Sequence, residues 1–166
     1  MVTRKTLRLE NYDYASTGCY FITICTKDKK NLFWRSRRDN PCGCPSEYSD
    51  LGKIAAQTNS VIEQKYAVTV NKYVIMPNHI HMLIEFHQRA GASPAPTLSQ
   101  VVGAYKSLVA NQWLQVCKSR NMQMGTIWQR SFYDEIIRNE QDYLTKWNYI
   151  DTNPYRWSDD EYFLED

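Results

Sequence analysis

The chain of 166 residues contains no apolar run near the roughly 18 residues that a membrane-crossing helix needs, so no such span is expected. Its basic start, Met-Val-Thr-Arg-Lys-Thr-Leu-Arg, is not followed by an apolar stretch of about 7 to 15 residues, which argues against a secretory signal and for a cytoplasmic protein. Cysteine pairing is equally unsupported. Cys19, Cys25, Cys42, Cys44 and Cys117 are odd in number and irregular in spacing, so reduced thiols are expected. Cys42 and Cys44 sit one residue apart in a Pro/Gly-flanked loop, tighter than the usual zinc spacing and without a second pair nearby, and read as ordinary loop cysteines. There is no internal repeat. Histidine is scarce, with only His79, His81 and His87, and that scarcity limits which metal sites the chain can build.

What is present describes an ordinary globular chain. At 43% hydrophobic and 23% charged it departs little from a soluble average, and its length suits a single domain over 1–166, with a core from about 18 to 154 and a short acidic tail. The net charge of +2 does not by itself identify a nucleic-acid binder, but its distribution is uneven. Arg4, Lys5, Arg8, Lys27, Lys29, Lys30, Arg35, Arg37 and Arg38 make the first forty residues basic, while acid gathers from Asp159 to Asp166. Such polarisation allows a basic face to meet phosphates; a merely solvated charged surface is the bland alternative.

Cys19 to Thr26, rich in β-branched and aromatic residues, reads as a buried strand, and 35–49 as a loop. Asp50 is placed to cap a helix carrying Leu51, Ile54, Ala55, Thr58, Val61, Ile62 and Lys65 at helical spacing. Val68 to Met76 and His79 to Phe86 form a hairpin around Pro77-Asn78. Thr97-Leu-Ser-Gln is a capping box that opens a long helix with an apolar stripe through Leu98, Val101, Val102, Tyr105, Val109, Trp113 and Val116. A fourth strand is expected within Met124 to Ile137. Asn139 then caps a last helix from Glu140 to about Asn153, stopped by Pro154. This order is α+β, most simply a ferredoxin-like antiparallel sheet with helices on one face.

Two features carry chemistry. Residues two apart on a strand share a face, so His79 and His81 point one way while Ile80, Met82 and Ile84 point the other. Paired imidazoles on a rigid strand suit a divalent ion, although two polar groups on a solvated strand would give the same pattern. A histidine triad would need a third imidazole where Leu83 stands, and His87 is too far along, so two imidazoles plus an oxygen ligand fit best. On the last helix, Tyr143, Leu144, Trp147 and Ile150 form the predicted core stripe, and Tyr149 lies about 150° away from it with Asp142, Thr145 and Asn153. A hydroxyl there can serve as a nucleophile beside a metal, or be an innocuous surface phenol. Tyr105, inside an apolar stripe, reads as packing.

The motifs Tyr73-Val-Ile-Met-Pro-Asn-His-Ile-His-Met-Leu, Ile127-Trp-Gln-Arg-Ser-Phe-Tyr-Asp-Glu-Ile-Ile-Arg-Asn-Glu and Tyr149-Ile-Asp-Thr-Asn-Pro, with Gly18-Cys-Tyr-Phe-Ile-Thr before them, resemble the HUH single-tyrosine transposases, in particular their REP-associated branch. The resemblance runs from about Gly18 to Pro154. It implies a ferredoxin-like sheet with the tyrosine helix across the histidine face, His79 and His81 as ligands of Mg²⁺ or Mn²⁺, and Tyr149 as the nucleophile that forms a 5′-phosphotyrosine and frees a 3′-hydroxyl. Asn153 stands where relatives offer a further polar ligand, often Gln. The implied partner is hairpin-bearing single-stranded DNA, engaged by a monomer or homodimer, with Arg4, Lys5, Lys106, Arg130 and Arg138 as candidate backbone contacts. Trp128 and Phe132 are read as packing residues ahead of base-stacking ones. A hairpin-binding protein that no longer nicks DNA is the alternative of another class. A replication initiator of the wider class is disfavoured by the short chain.

Overall fold

The computed structural model describes residues 18–35, 47–87 and 96–163. Arg4, Lys5, Arg8, Arg37, Arg38, Cys42 and Cys44 lie outside them. Four strands form one antiparallel sheet: β1 (Gly18–Cys25), β2 (Val68–Ile75), β3 (His79–Phe86) and β4 (Tyr133–Ile137), in the order β2-β3-β1-β4. Helices α1 (Asp50–Lys65) and α2 (Leu98–Ser119) connect them, and α3 (Glu140–Thr152) follows β4. This is the ferredoxin-like α+β layout expected. Among the described residues no helix is long and apolar enough to cross a membrane.

Strand periodicity divides the sheet into two unlike faces. Tyr20, Ile22, Ile24, Ile80, Met82 and Ile84 pack with Ala55, Ile62, Val101, Val102, Tyr105 and Val109 of the first two helices, making the larger core. Phe21, Val74 and Leu83 face the other way and meet Ile150 and Trp157. The expectation of helices on one face therefore holds for α1 and α2 and fails for α3, which covers the face that carries the histidines. The two interior strands have apolar residues on both sides, and only a second layer can take the outer set out of water.

Local signals fix the ends of the elements. Ser49, not Asp50, caps α1: its hydroxyl accepts from Gly52 N at 3.0 Å and donates to Leu32 O at 2.7 Å. Thr97 and Gln100 make the capping box of α2, and Asn139 Oδ1 accepts from Asp142 N at 2.9 Å at the start of α3. On α3, Tyr143, Trp147 and Ile150 turn inward, while Leu144, assigned to the core stripe from sequence, is 47% exposed. Dropping Leu144 shifts the buried face by about 20° toward Tyr149, which becomes a flank residue about 125° from its centre.

Past Thr152 the chain does not leave the domain. A 3-10 segment, Asn153–Asp159, with Pro154 in its first turn, folds back toward the sheet and buries Trp157. Residues 160–163 continue over the histidine face, where Tyr162 and Phe163 pack on the smaller core.

Gly52 marks a close approach, since a Cβ built there meets the Phe33 carbonyl oxygen and presses on Tyr48. Gly52→Ala is expected to destabilise the fold by about 1–3 kcal/mol through overpacking. A urea midpoint equal to that of the parent chain would contradict this.

Candidate active site

The site begins at the turn between β2 and β3. Pro77 O accepts from Leu32 N and Phe33 N at 2.8 and 3.0 Å, and Asn78 O accepts from Thr26 N at 2.9 Å, so the turn is fastened to the chain after β1. The Asn78 amide nitrogen donates to Lys29 O at 3.1 Å and to Tyr162 O at 2.8 Å. These bonds settle which end of the amide is which, and Asn78 Oδ1 faces His79 Nδ1 at 2.9 Å as an acceptor. His79 therefore carries its proton on Nδ1 and turns the lone pair of Nε2 inward.

His79 and His81 are buried, at 0% and 2% exposure, which removes the reading of polar groups on a solvated strand. Their Nε2 atoms are 3.0 Å apart. With His79 Nε2 an acceptor, His81 Nε2–H is the donor between them, and His81 Nδ1 accepts from the Thr23 hydroxyl at 2.8 Å. Phe21 stacks on the His81 ring, centroids 5.1 Å apart and planes 24° from parallel. Burial holds both imidazoles neutral: His81 is lowered to about 3, helped by the Lys146 charge, and His79 well below its usual value, helped by its neighbour His81.

The donor set suits a divalent cation. Two nitrogens each about 2.1 Å from one ion and at right angles would be ~3.0 Å apart, which is the Nε2 spacing here. Release of the bridging position needs only that the His81 proton move to Nδ1, because the Thr23 hydroxyl can accept as well as donate. A carboxylate completes the cluster. Asp160 Oδ2 lies 4.0 Å from His79 Nε2, and the ligand atoms of His79, His81 and Asp160 are all within 4.8 Å of one another.

Tyr149 reaches the same place from α3. Its ring meets His81 edge-on at 5.2 Å and Phe21 at 5.9 Å, and it is 38% exposed along a cleft of about 600 Å³ that His81, Thr23, Lys29, Lys146 and Tyr162 also line. Partial burial, then the charges of Asp160 and Glu161, push the phenol up to about 12, against the effect of Asn153. Asn153 is 4% exposed beneath Tyr149, and its amide nitrogen has no hydrogen-bond partner among the described residues. Its influence lowers both Tyr149 and Asp160, against the larger effect of their burial.

The structure thus brings His79, His81, Tyr149 and Asn153 together. Of the candidate DNA contacts, Lys106 is engaged inside the fold, its ammonium donating to Gln129 O and Ser131 O at 2.9 Å each, whereas Arg130 and Arg138 are exposed. Trp128 packs on Phe33 and donates to Lys106 O, as its packing role requires. Sequence reasoning missed Asp160 and Lys146, and named Lys29 only within the basic run of the first forty residues. Only Lys146 left a signal: it precedes Tyr149 by three residues and so shares its flank of the helix.

A family model described as "Transposase IS200 like" matches residues 16–153. An uncharacterised protein of Haemophilus influenzae is 32% identical, covering 98% of this chain and 94% of that one. A protein of the same organism named as a REP-associated tyrosine transposase is 22% identical over 89% of this chain and 77% of its own length. In fold, the chain is similar to a REP-associated tyrosine transposase solved bound to a REP hairpin, with a TM-score of 0.54, 19% identity, and 90% and 74% of the two chains covered.

The buried imidazoles make stability pH-dependent in metal-free protein. The unfolded chain protonates both below about pH 6.5 and the native chain does not, so stability falls as pH falls, by roughly 2 kcal/mol between pH 7 and 5.5 for the pair. Asp160, raised by burial, acts in the opposite direction, one group against two. Urea unfolding in EDTA at both pH values measures the difference; equal stabilities would contradict neutral buried histidines.

Proposed function

Because the chain belongs to the family of IS200-like transposases, we propose that it nicks and rejoins single-stranded DNA through a covalent bond to Tyr149, at a divalent-metal site held by His79 and His81. The observation that carries this reading is the edge-on contact of Tyr149 with His81 at the head of an open cleft, which supports Tyr149 as a nucleophile beside a ligand pair. The ion, Mg²⁺ or Mn²⁺, would supply Lewis acidity and charge neutralisation at a phosphate. The rest is work for the protein's own residues.

Thr23 and Asn78 orient the two imidazoles through their Nδ1 atoms, so that little reorganisation is left for the moment of reaction. Phe21, Trp157 and Tyr162 keep water from the imidazole faces. Lys29 and Lys146 line the cleft, where their charges favour a phosphate backbone; Lys146 is held over the Phe21 ring and paired with Glu135 at 2.6 Å. The Tyr149 oxygen, giving up its proton, bonds to phosphorus while the bond from phosphorus to the 3′-oxygen breaks, and that oxygen leaves protonated as a 3′-hydroxyl. The phosphotyrosine retains the bond energy, so attack by another 3′-hydroxyl reverses the step and rejoins strands without ATP. By likeness to the hairpin-bound relative, the substrate is DNA bearing an imperfect hairpin of the REP kind. The whole 166-residue chain acts as one domain in this reading.

Incubation with labelled hairpin-bearing single-stranded DNA and Mn²⁺ or Mg²⁺ tests it. Wild type should give a covalent adduct, Tyr149→Phe and His81→Ala none, and Thr23→Val about 10- to 100-fold less by loosening a ligand. Binding without an adduct, across hairpins and both metals, would favour the alternative of a hairpin-binding protein without nuclease activity. An adduct that survives Tyr149→Phe would place the nucleophile elsewhere.

A further inference from the structure

We propose that Asp160, delivered by the segment that follows the tyrosine helix, is the third protein ligand of the ion held by His79 and His81, and that Asn153 positions this carboxylate instead of ligating. The inference rests on the metal-site reading above and specifies it. Three lone-pair donors converge on one point: His79 Nε2, His81 Nε2 in its Nδ1-protonated form, and Asp160 Oδ2. The Asp160 side chain is 2% exposed, and among the described residues the only basic group within ion-pair distance is His79, whose accepting Nε2 faces it. A buried carboxylate facing an imidazole lone pair is costly unless a cation lies between them.

The surroundings hold Asp160 in place for that purpose. Its Oδ1 accepts from Tyr162 N at 2.8 Å, which leaves Oδ2 for the cluster. The segment is pinned on both sides: Asn78 donates to Tyr162 O, Lys29 donates to Glu161 O at 3.3 Å, and Trp157 is buried just before. Asn153, by contrast, is buried with an amide nitrogen that has no hydrogen-bond partner among the described residues, and it lines a smaller recess of about 330 Å³ with Asp160 and Tyr149. An amide nitrogen donates and cannot bind a cation, so an unpartnered one in that recess suits the steering of the neighbouring oxygens.

The test is Mn²⁺ affinity of the full chain, by calorimetry and by the loss of the free-ion signal in electron paramagnetic resonance. Asp160→Asn keeps the acceptor for Tyr162 N but loses the charge. It should weaken Mn²⁺ binding by more than about 100-fold, beyond what an orienting partner contributes, whereas Asn153→Ala should weaken it only about tenfold. In EDTA, Asp160→Asn should be at least as stable to urea as wild type, because an unpaired buried charge has gone; a purely structural Asp160 would give a loss. Wild-type affinity in Asp160→Asn, with binding abolished in His81→Ala, overturns the proposal and leaves the histidine site standing. Equal losses in Asp160→Asn and Asn153→Ala overturn the division of roles. Absence of Mn²⁺ binding by wild type would remove the metal-site reading itself and this proposal with it.

Discussion

The side-chain amide of Asn78 is the constraint on which the rest of the site depends. Buried at the turn between β2 and β3, it accepts from His79 and donates to two carbonyls distant in sequence, Lys29 O and Tyr162 O. One planar group therefore sets the imidazole tautomer, holds the chain after β1 at Lys29, and clamps the segment that carries Asp160. None of the three contacts can be lost without disturbing the others, because the amide cannot rotate to serve one partner alone. Networks of this kind are rigid when every member is satisfied.

The sheet supplies the other half of the arrangement. With α1 and α2 burying the larger core, the opposite face is free to mix apolar residues with chemistry, and β1 and β3 at the centre of the sheet do so residue by residue. Phe21, Thr23, His79, His81 and Leu83 share that face. Placing the imidazoles on an interior strand gives them a fixed backbone and a dry environment. Placing Tyr149 on a helix that touches this face more lightly leaves the phenol partly exposed to incoming substrate.

Much of this is legible in the chain, and the reasons differ by element. The alternation His79-Ile80-His81 is enough to put both imidazoles on one face, since the strand period is a matter of geometry. Thr97 and Asn139 announce helix starts because their side chains satisfy particular backbone N–H groups. Tyr149 could be turned away from the core by counting, but Leu144 was counted inward because α3 has few apolar residues and its stripe is poorly defined. The side of the sheet taken by α3 depends on long-range packing and followed only from resemblance. Asp160 sits on a segment with no periodicity, and nothing local says where it returns. A list of cations could not show that Lys106 would donate to two backbone carbonyls of the fold.

The hydrogen bond between the two histidine Nε2 atoms has a consequence for how the protein comes into being. A proton there occupies the gap in which an ion would sit, and Thr23 and Asn78 satisfy the outer nitrogens at the same time. All four ring nitrogens of the pair are thus hydrogen-bonded without a metal, unlike the ligands of small zinc domains that stay unfolded until loaded. Under the proposed metal-site reading, such a chain can finish folding in a metal-starved cell and acquire an ion afterwards. Folding and loading become separate events, the second an exchange of position by a single proton within a finished interior.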